Sequence, residues 1–133
     1  MHYDKSTILE ELRSISLPIE KYWVVMGAAL VMHGVKETTK DIDIGCSLEL
    51  FTYLLERGYE LKLSSSGKKK ITIKENINIY CEWHIKGFVI IDSIQVADLD
   101  SIINDKKKLG RDKDMDDINS IMLFISKGKH NDD

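Results

Sequence analysis

The sequence predicts an α+β fold: a mixed β-sheet with helices packed mainly on one face. Three observations carry this. Apolar residues recur at helical spacing near both ends of the chain. Between them lie short β-branched or strictly alternating runs, such as "KYWVVM", "DIDIG" and "KKITI". Glycine, proline and polar clusters punctuate these runs, so strands and helices are interleaved first and segregated later.

The elements follow in order. Asp4 or Ser6 can cap a first helix carrying Ile8, Leu9, Leu12 and Ile15, and Pro18 ends it. Lys21–Met26 reads as a buried strand. Gly27 breaks that run, and "AALVMH" favours helix up to Gly34, a C-terminal stop. After a polar loop, "DIDIG" alternates, with Ile42 and Ile44 on one face and Asp41 and Asp43 on the other. Ser47 can cap "LELFTYLLER", which Gly58 terminates. Tyr59–Leu63 reads as a strand and Ser64–Gly67 as a turn. "KKITI" and "INIYCEW" flank "KEN" as a hairpin, and Gly87–Ile91 is one more strand. Two helices close the chain, "ADLDSIINDKKKL" and "DKDMDDINSIMLFIS", separated at Gly110.

At 133 residues the chain is expected to be one domain, 1–133, with a tail over 127–133 that frays. Its 43% apolar and 31% charged residues are those of a soluble globular protein. A net charge of −3 argues against a dedicated nucleic-acid binder. The two cysteines, Cys46 and Cys81, form no CxxC pair and sit beside apolar residues, as buried thiols in a reducing compartment do. The N-terminus lacks the apolar run of a signal peptide. The longest apolar run, Tyr22–Met32, is too short for a bilayer, which needs about 20 residues. A cytoplasmic protein with no membrane partner is expected.

Asp41 and Asp43 raise the chemical question. Side chains two apart on a strand point the same way, about 7 Å apart at the backbone. Burying two like charges together is costly unless water or a cation meets them. A hard divalent ion such as Mg²⁺ suits paired carboxylates, commonly with phosphates completing its shell. A solvated strand end is the commoner explanation of an isolated DxD. Fourteen residues earlier, however, Gly27 and the small Ala28 stand at a strand-to-helix junction. Free N–H groups and the positive end of the helix dipole there suit a phosphate. Strand, Gly27-Ala28, helix, loop and DID strand would set a phosphate cradle beside a metal pair.

These residues resemble the nucleotidyltransferase superfamily related to DNA polymerase β. That superfamily carries a hydrophobic residue, Gly, Gly or Ser, then a downstream DxD, matched by Met26, Gly27, Ala28, Asp41 and Asp43. Within it, "GAALVMHGVKETTKDIDI" is similar to the small bacterial abortive-infection and toxin–antitoxin type. His33, Gly34, Lys36 and Thr38 also fall in place, Lys36 where arginine is commoner. "LGRDKDMDDI" is similar to that type's "GRxKDxxDI", matched by Gly110, Arg111, Lys113, Asp114, Asp117 and Ile118.

The resemblance implies transfer of a nucleotide from an NTP to an acceptor hydroxyl on a protein, a tRNA or a small molecule. Asp41 and Asp43 would hold Mg²⁺ or Mn²⁺, and Gly27, Ala28, Lys36, Arg111 and Lys113 would serve the nucleotide. It also implies an antitoxin partner. Two departures stand out. Ala28 lacks the hydroxyl of the usual serine, and the superfamily's third carboxylate has no clear counterpart. Asn78 holds the matching place, while Glu82 shares its face by alternation and could act as the base. A catalytically inactive nucleotide- or partner-binding module is therefore the alternative. The runs Lys68–Lys70 and Lys106–Lys108 fit solvated surface as well as a polyanion site. His33, Tyr80 and Trp83 fit packing or capping roles.

Overall fold

The computed structural model describes residues 2–131. Helix α1 (Lys5–Ile15) is capped by Asp4, whose carboxylate accepts from the Thr7 N–H at 2.9 Å. Pro18 and a 3₁₀ turn (Ile19–Lys21) lead into β1 (Tyr22–Val25). Helix α2 (Met26–His33) begins with no intervening loop and ends at Gly34. Strand β2 (Ile42–Cys46) feeds α3 (Leu48–Glu56), and the Ser47 hydroxyl caps α3 by accepting from the Leu50 N–H. Then come β3 (Lys62–Leu63), β4 (Lys69–Ile73), β5 (Ile77–Cys81), β6 (Phe88–Ile91) and β7 (Ile94–Ala97). Helices α4 (Leu99–Leu109) and α5 (Asp112–Asn131) complete the described chain. Residues 132 and 133 of the expected tail lie outside it. No helix among the described residues is long and apolar enough to cross a membrane.

The expected mixed sheet forms, with strand order β3-β4-β5-β2-β1-β7-β6. Strand β2 lies between β1, antiparallel, and β5, parallel. Strand β1 also pairs in parallel with β7. Burial alternates as the pattern requires. Ile42, Ile44, Ile71, Ile77 and Ile79 are fully or almost fully buried, while Asp43, Asn78 and Thr72 are only partly buried, on the opposite face. Helix α2 lies against β1, β2 and β7, adding Ala28, Ala29, Leu30, Val31 and Met32 to the core.

Three elements differ from expectation. The strand expected over Tyr59–Leu63 shrinks to its last two residues, an exposed edge pairing only with β4. Strand β7 is absent from the sequence reading. Its turn, Asp92-Ser93, takes positive φ at both residues (49° and 68°) without the glycine that marks such hairpins. Strand β5 stops at Cys81, because Glu82 turns left-handed (φ 53°).

Gly45 is where the sheet needs the smallest side chain. The Trp23 indole N–H donates to the Trp83 carbonyl at 2.9 Å across this position. A Cβ on Gly45 would lie 2.5 Å from Trp23 Nε1 and 2.7 Å from Trp83 Cβ. Gly45→Ala should therefore overpack the site and cost about 1–3 kcal/mol. Urea unfolding will read this as a lower midpoint at unchanged slope. An unchanged midpoint would mean that the tryptophans move aside freely.

Candidate functional site

The DID segment meets the β1–α2 junction at one open cleft of about 1110 Å³. Asp41 precedes β2 and is exposed. Asp43 sits within β2, opposite Val25 on one side and Asn78 on the other. Both aspartates line the cleft, as do Met26 and Gly27. The turn there is tight: Met26 adopts φ 55°, a left-handed conformation that is strained for a side-chain-bearing residue. No side chain caps α2, so the first-turn N–H groups stay available beside the cleft. Gly27 has a packing reason as well. A Cβ there would lie 2.6 Å from Thr39 Oγ1, in the loop leading to β2. Ala28 is fully buried and lies outside the cleft lining, so its small size serves the core.

Burial pushes the Asp43 carboxyl above its ordinary pKa. The Asn78 amide opposes this, and the nearby Asp41 charge reinforces it. A carboxylate so placed gains from a nearby cation. Two hard oxygen donors on one face fit Mg²⁺ or Mn²⁺, provided that phosphates or water supply the remaining ligands. Among the described residues, no group of three or more His, Cys, Asp and Glu converges on one point.

The parallel register accounts for that. Asn78 Nδ2 donates to Asp43 Oδ1 at 3.0 Å, and its own carbonyl accepts from Thr72 Oγ1 at 3.0 Å. The position beside Asp43 thus holds an amide, oriented by a threonine. Glu82 lines the same cleft, four residues past Asn78 and just beyond the end of β5, where its backbone turns left-handed. Its side chain is exposed, and with the aspartates it forms no group of three ligands suited to a metal ion among the described residues. Tyr80, between them in sequence, lies edge-on to Trp83 at 5.0 Å, and burial raises its phenol pKa to about 12.

The basic residues converge too, and three of them are already paired with carboxylates. Lys36 reaches Asp117 at 3.1 Å. Lys106, only 4% exposed, reaches Asp117 at 2.8 Å and Asp114 at 3.5 Å. Arg111 forks onto Asp114 at 2.7 and 3.1 Å, and its backbone N–H donates to the same carboxylate. Lys113 lines the cleft outside this network. Counting Lys40, Lys68, Lys69 and Lys108, eight basic side chains line the cleft against five acidic ones. A chain of net charge −3 therefore presents a locally positive cleft.

The sequence reading missed Lys106 and the Trp83 cluster. Lys106 lay in an apparent surface run, yet it stands four residues after the buried Ile102 and shares its helix face. Trp83 donates to Asp105 at 2.9 Å, and Lys68 lies 3.5 Å over its ring. No alternation could bring those residues together. His33 takes the packing role: its Nε2 is 2.8 Å from the Ala97 carbonyl, tying α2 to β7.

No family model matches the chain, and no curated protein matches it in sequence. Two solved structures share its fold. A presumed nucleotidyltransferase from Thermotoga maritima aligns over 95% of this chain and 97% of its own, at 19% identity and TM-score 0.57. ANT(2″)-Ia, solved with adenylyl-2″-tobramycin, aligns over 92% of this chain and 87% of its own, at 16% identity and TM-score 0.54. At these identities the likeness is one of fold, and the fold is nucleotidyltransferase-like.

The buried ion pairs give a pH dependence. The Arg111 side chain holds the Asp114 carboxyl below its ordinary value; burial opposes this, while the Arg111 N–H and Lys106 assist. A folded-state value below the unfolded one contributes stability in full above the unfolded value, about 3.9. That contribution is lost as pH falls through the folded value. Asp114→Asn should cost about 3 kcal/mol at pH 7. This is the low end for breaking a buried pair, because Lys106 keeps Asp117. The gap between variant and wild type should close in acid, as urea unfolding at pH 7 and at pH 3 or below will show.

Proposed function

We propose that the protein binds a nucleoside triphosphate and transfers its nucleotide to an acceptor hydroxyl. One observation carries this reading: the aspartate pair and the uncapped start of α2 line one cleft rich in basic side chains, with Asp43 in register beside Val25. The nucleotidyltransferase-like fold supports it. Asp41 and Asp43 would hold the divalent ion, Mg²⁺ or Mn²⁺. When bound, such an ion neutralises charge on the triphosphate and on the departing pyrophosphate.

The chain's own groups do the rest. First-turn N–H groups of α2, from Gly27 onward, receive phosphate oxygens. Lys36 and Arg111, with side chains 38% and 48% exposed, can exchange their carboxylate partners for phosphate. Lys113 and Lys69 add positive potential along the cleft. Its volume exceeds the roughly 300–1,000 Å³ of ordinary ligand pockets, leaving room for part of an acceptor. A protein or tRNA hydroxyl, the acceptors implied for the toxin–antitoxin type, suits so open a site. An antitoxin partner and a cytoplasmic setting belong to the same reading.

Asn78 favours a second reading. An amide cannot take the proton of an attacking hydroxyl, and Glu82 stands past the end of β5 rather than beside Asp43 in the register. The chain would then hold the nucleotide with slow transfer or none.

Transfer from α-labelled NTP in Mg²⁺ or Mn²⁺ separates these readings. Asp43→Asn should lower label transfer about 10²-fold or more. Asn78→Asp should raise it by a comparable factor, by restoring a base beside Asp43. Saturable NTP binding with transfer only in Asn78→Asp selects the second reading. Transfer indifferent to Asp43→Asn overturns the site.

A further inference from the structure

The two edges of the sheet are built differently. Edge strand β3 carries Lys62 and pairs with the lysine-rich start of β4, a common protection against strand addition. Edge strand β6 is "FVII", without a charge, and Phe88, Val89 and Ile90 are 52%, 40% and 60% exposed. No other strand among the described residues covers it.

Its free hydrogen-bonding groups can be assigned. Gly87 and Asp98 are opposite in register, and Asp98 N–H donates to the Gly87 carbonyl at 3.0 Å. Antiparallel ladders alternate, so Val89 and Ile91 also bond inward to β7. The N–H and C=O groups of Phe88 and Ile90 therefore point away from the sheet.

We propose that β6 pairs antiparallel with β6 of a second copy of this chain, about a two-fold axis at Val89. This register sets Phe88 opposite Ile90 of the other copy, and the reverse, so all four outward groups of each copy are satisfied. Lys86 and Asp92 flank β6 just outside its two ends, so the same arrangement brings Lys86 of each copy near Asp92 of the other. Both residues are exposed, and their charges are complementary. The Lys86 N–H is taken by Ser101 Oγ at 2.8 Å, so the ladder ends there and only the side chains meet beyond it. Asp92 already receives Lys5 at 3.1 Å, and Lys86 would make it a shared acceptor. The two sheets join into one of fourteen strands, seven from each copy. So short a contact buries less than the roughly 1,200 Å² of a durable interface, so the dimer is of micromolar affinity or weaker.

Sedimentation equilibrium from low micromolar to near-millimolar protein tests this. Wild type should rise from the mass of one copy towards two. Val89→Lys brings two like charges together at the axis and should weaken association about tenfold or more, with an unchanged circular dichroism spectrum. Val89 facing itself is a non-hydrogen-bonded pair with Cα atoms about 4.5 Å apart, within disulfide range. In a Cys81→Ser background, Val89→Cys should cross-link on mild oxidation. A single-copy mass at every concentration overturns the proposal. So does a dimer indifferent to Val89→Lys, or growth into open chains.

Discussion

The parallel pairing of β2 with β5 is the constraint on which the cleft depends. It sets Asp43 against Asn78 and leaves Glu82 beyond the strand's end. The polar contact does not hold that register. A one-residue slip of either strand would turn its isoleucines (Ile42 and Ile44, or Ile77 and Ile79) out of the core and its polar residues in. Burying even one such side chain is worth about 1.5–3 kcal/mol, more than the Asn78–Asp43 hydrogen bond can contribute. The apolar face thus dictates the geometry of the polar one.

Around that pair, charge is organised in two tiers. Lys106 is buried and held by Asp114 and Asp117, so it fastens α4 to α5 and cannot leave without exposing an unpaired charge to the interior. Lys36 and Arg111 sit at the solvent side of the same carboxylates. Their carboxylate partners are largely buried, but the cations themselves are partly exposed, so an incoming anion can reach them. A polyphosphate entering the cleft would compete with Asp117 for Lys36 and with Asp114 for Arg111. Lys106 would meanwhile keep those carboxylates from becoming unpaired.

Much of this was legible in the sequence because it rests on short-range rules. Alternation placed Asp41 and Asp43 together, caps marked Asp4 and Ser47, and the "GAALVMHG" run gave both the β1–α2 turn and its end at Gly34. The rest depends on register and on contacts between distant segments. Nothing local distinguishes Lys106 from Lys107 except its spacing from Ile102. Asp92-Ser93 is an atypical hairpin turn, so β7 passed for loop and helix start. Ala28 looked like part of the phosphate turn, yet its methyl belongs to the core. Glu82 matched by parity, but parity holds only while the strand continues, and the left-handed turn at Glu82 ends it.

The amide beside Asp43 changes the balance of the site. A carboxylate at position 78 would face Asp43 in register, with Asp41 nearby. Three negative charges in one half-buried place would raise one pKa sharply or require more than one divalent ion. Asn78 donates to Asp43 instead, and Thr72 holds its carbonyl, so the amide's orientation is fixed. The remaining two charges match a single divalent cation. On the reading of a nucleotide site, this arrangement suits holding a metal-bound triphosphate better than deprotonating an acceptor. The acceptor would have to bring a group of low pKa, or a base of its own, into the open end of the cleft. Rate would then depend on which acceptor docks there, whereas nucleotide affinity would be set by residues of this chain.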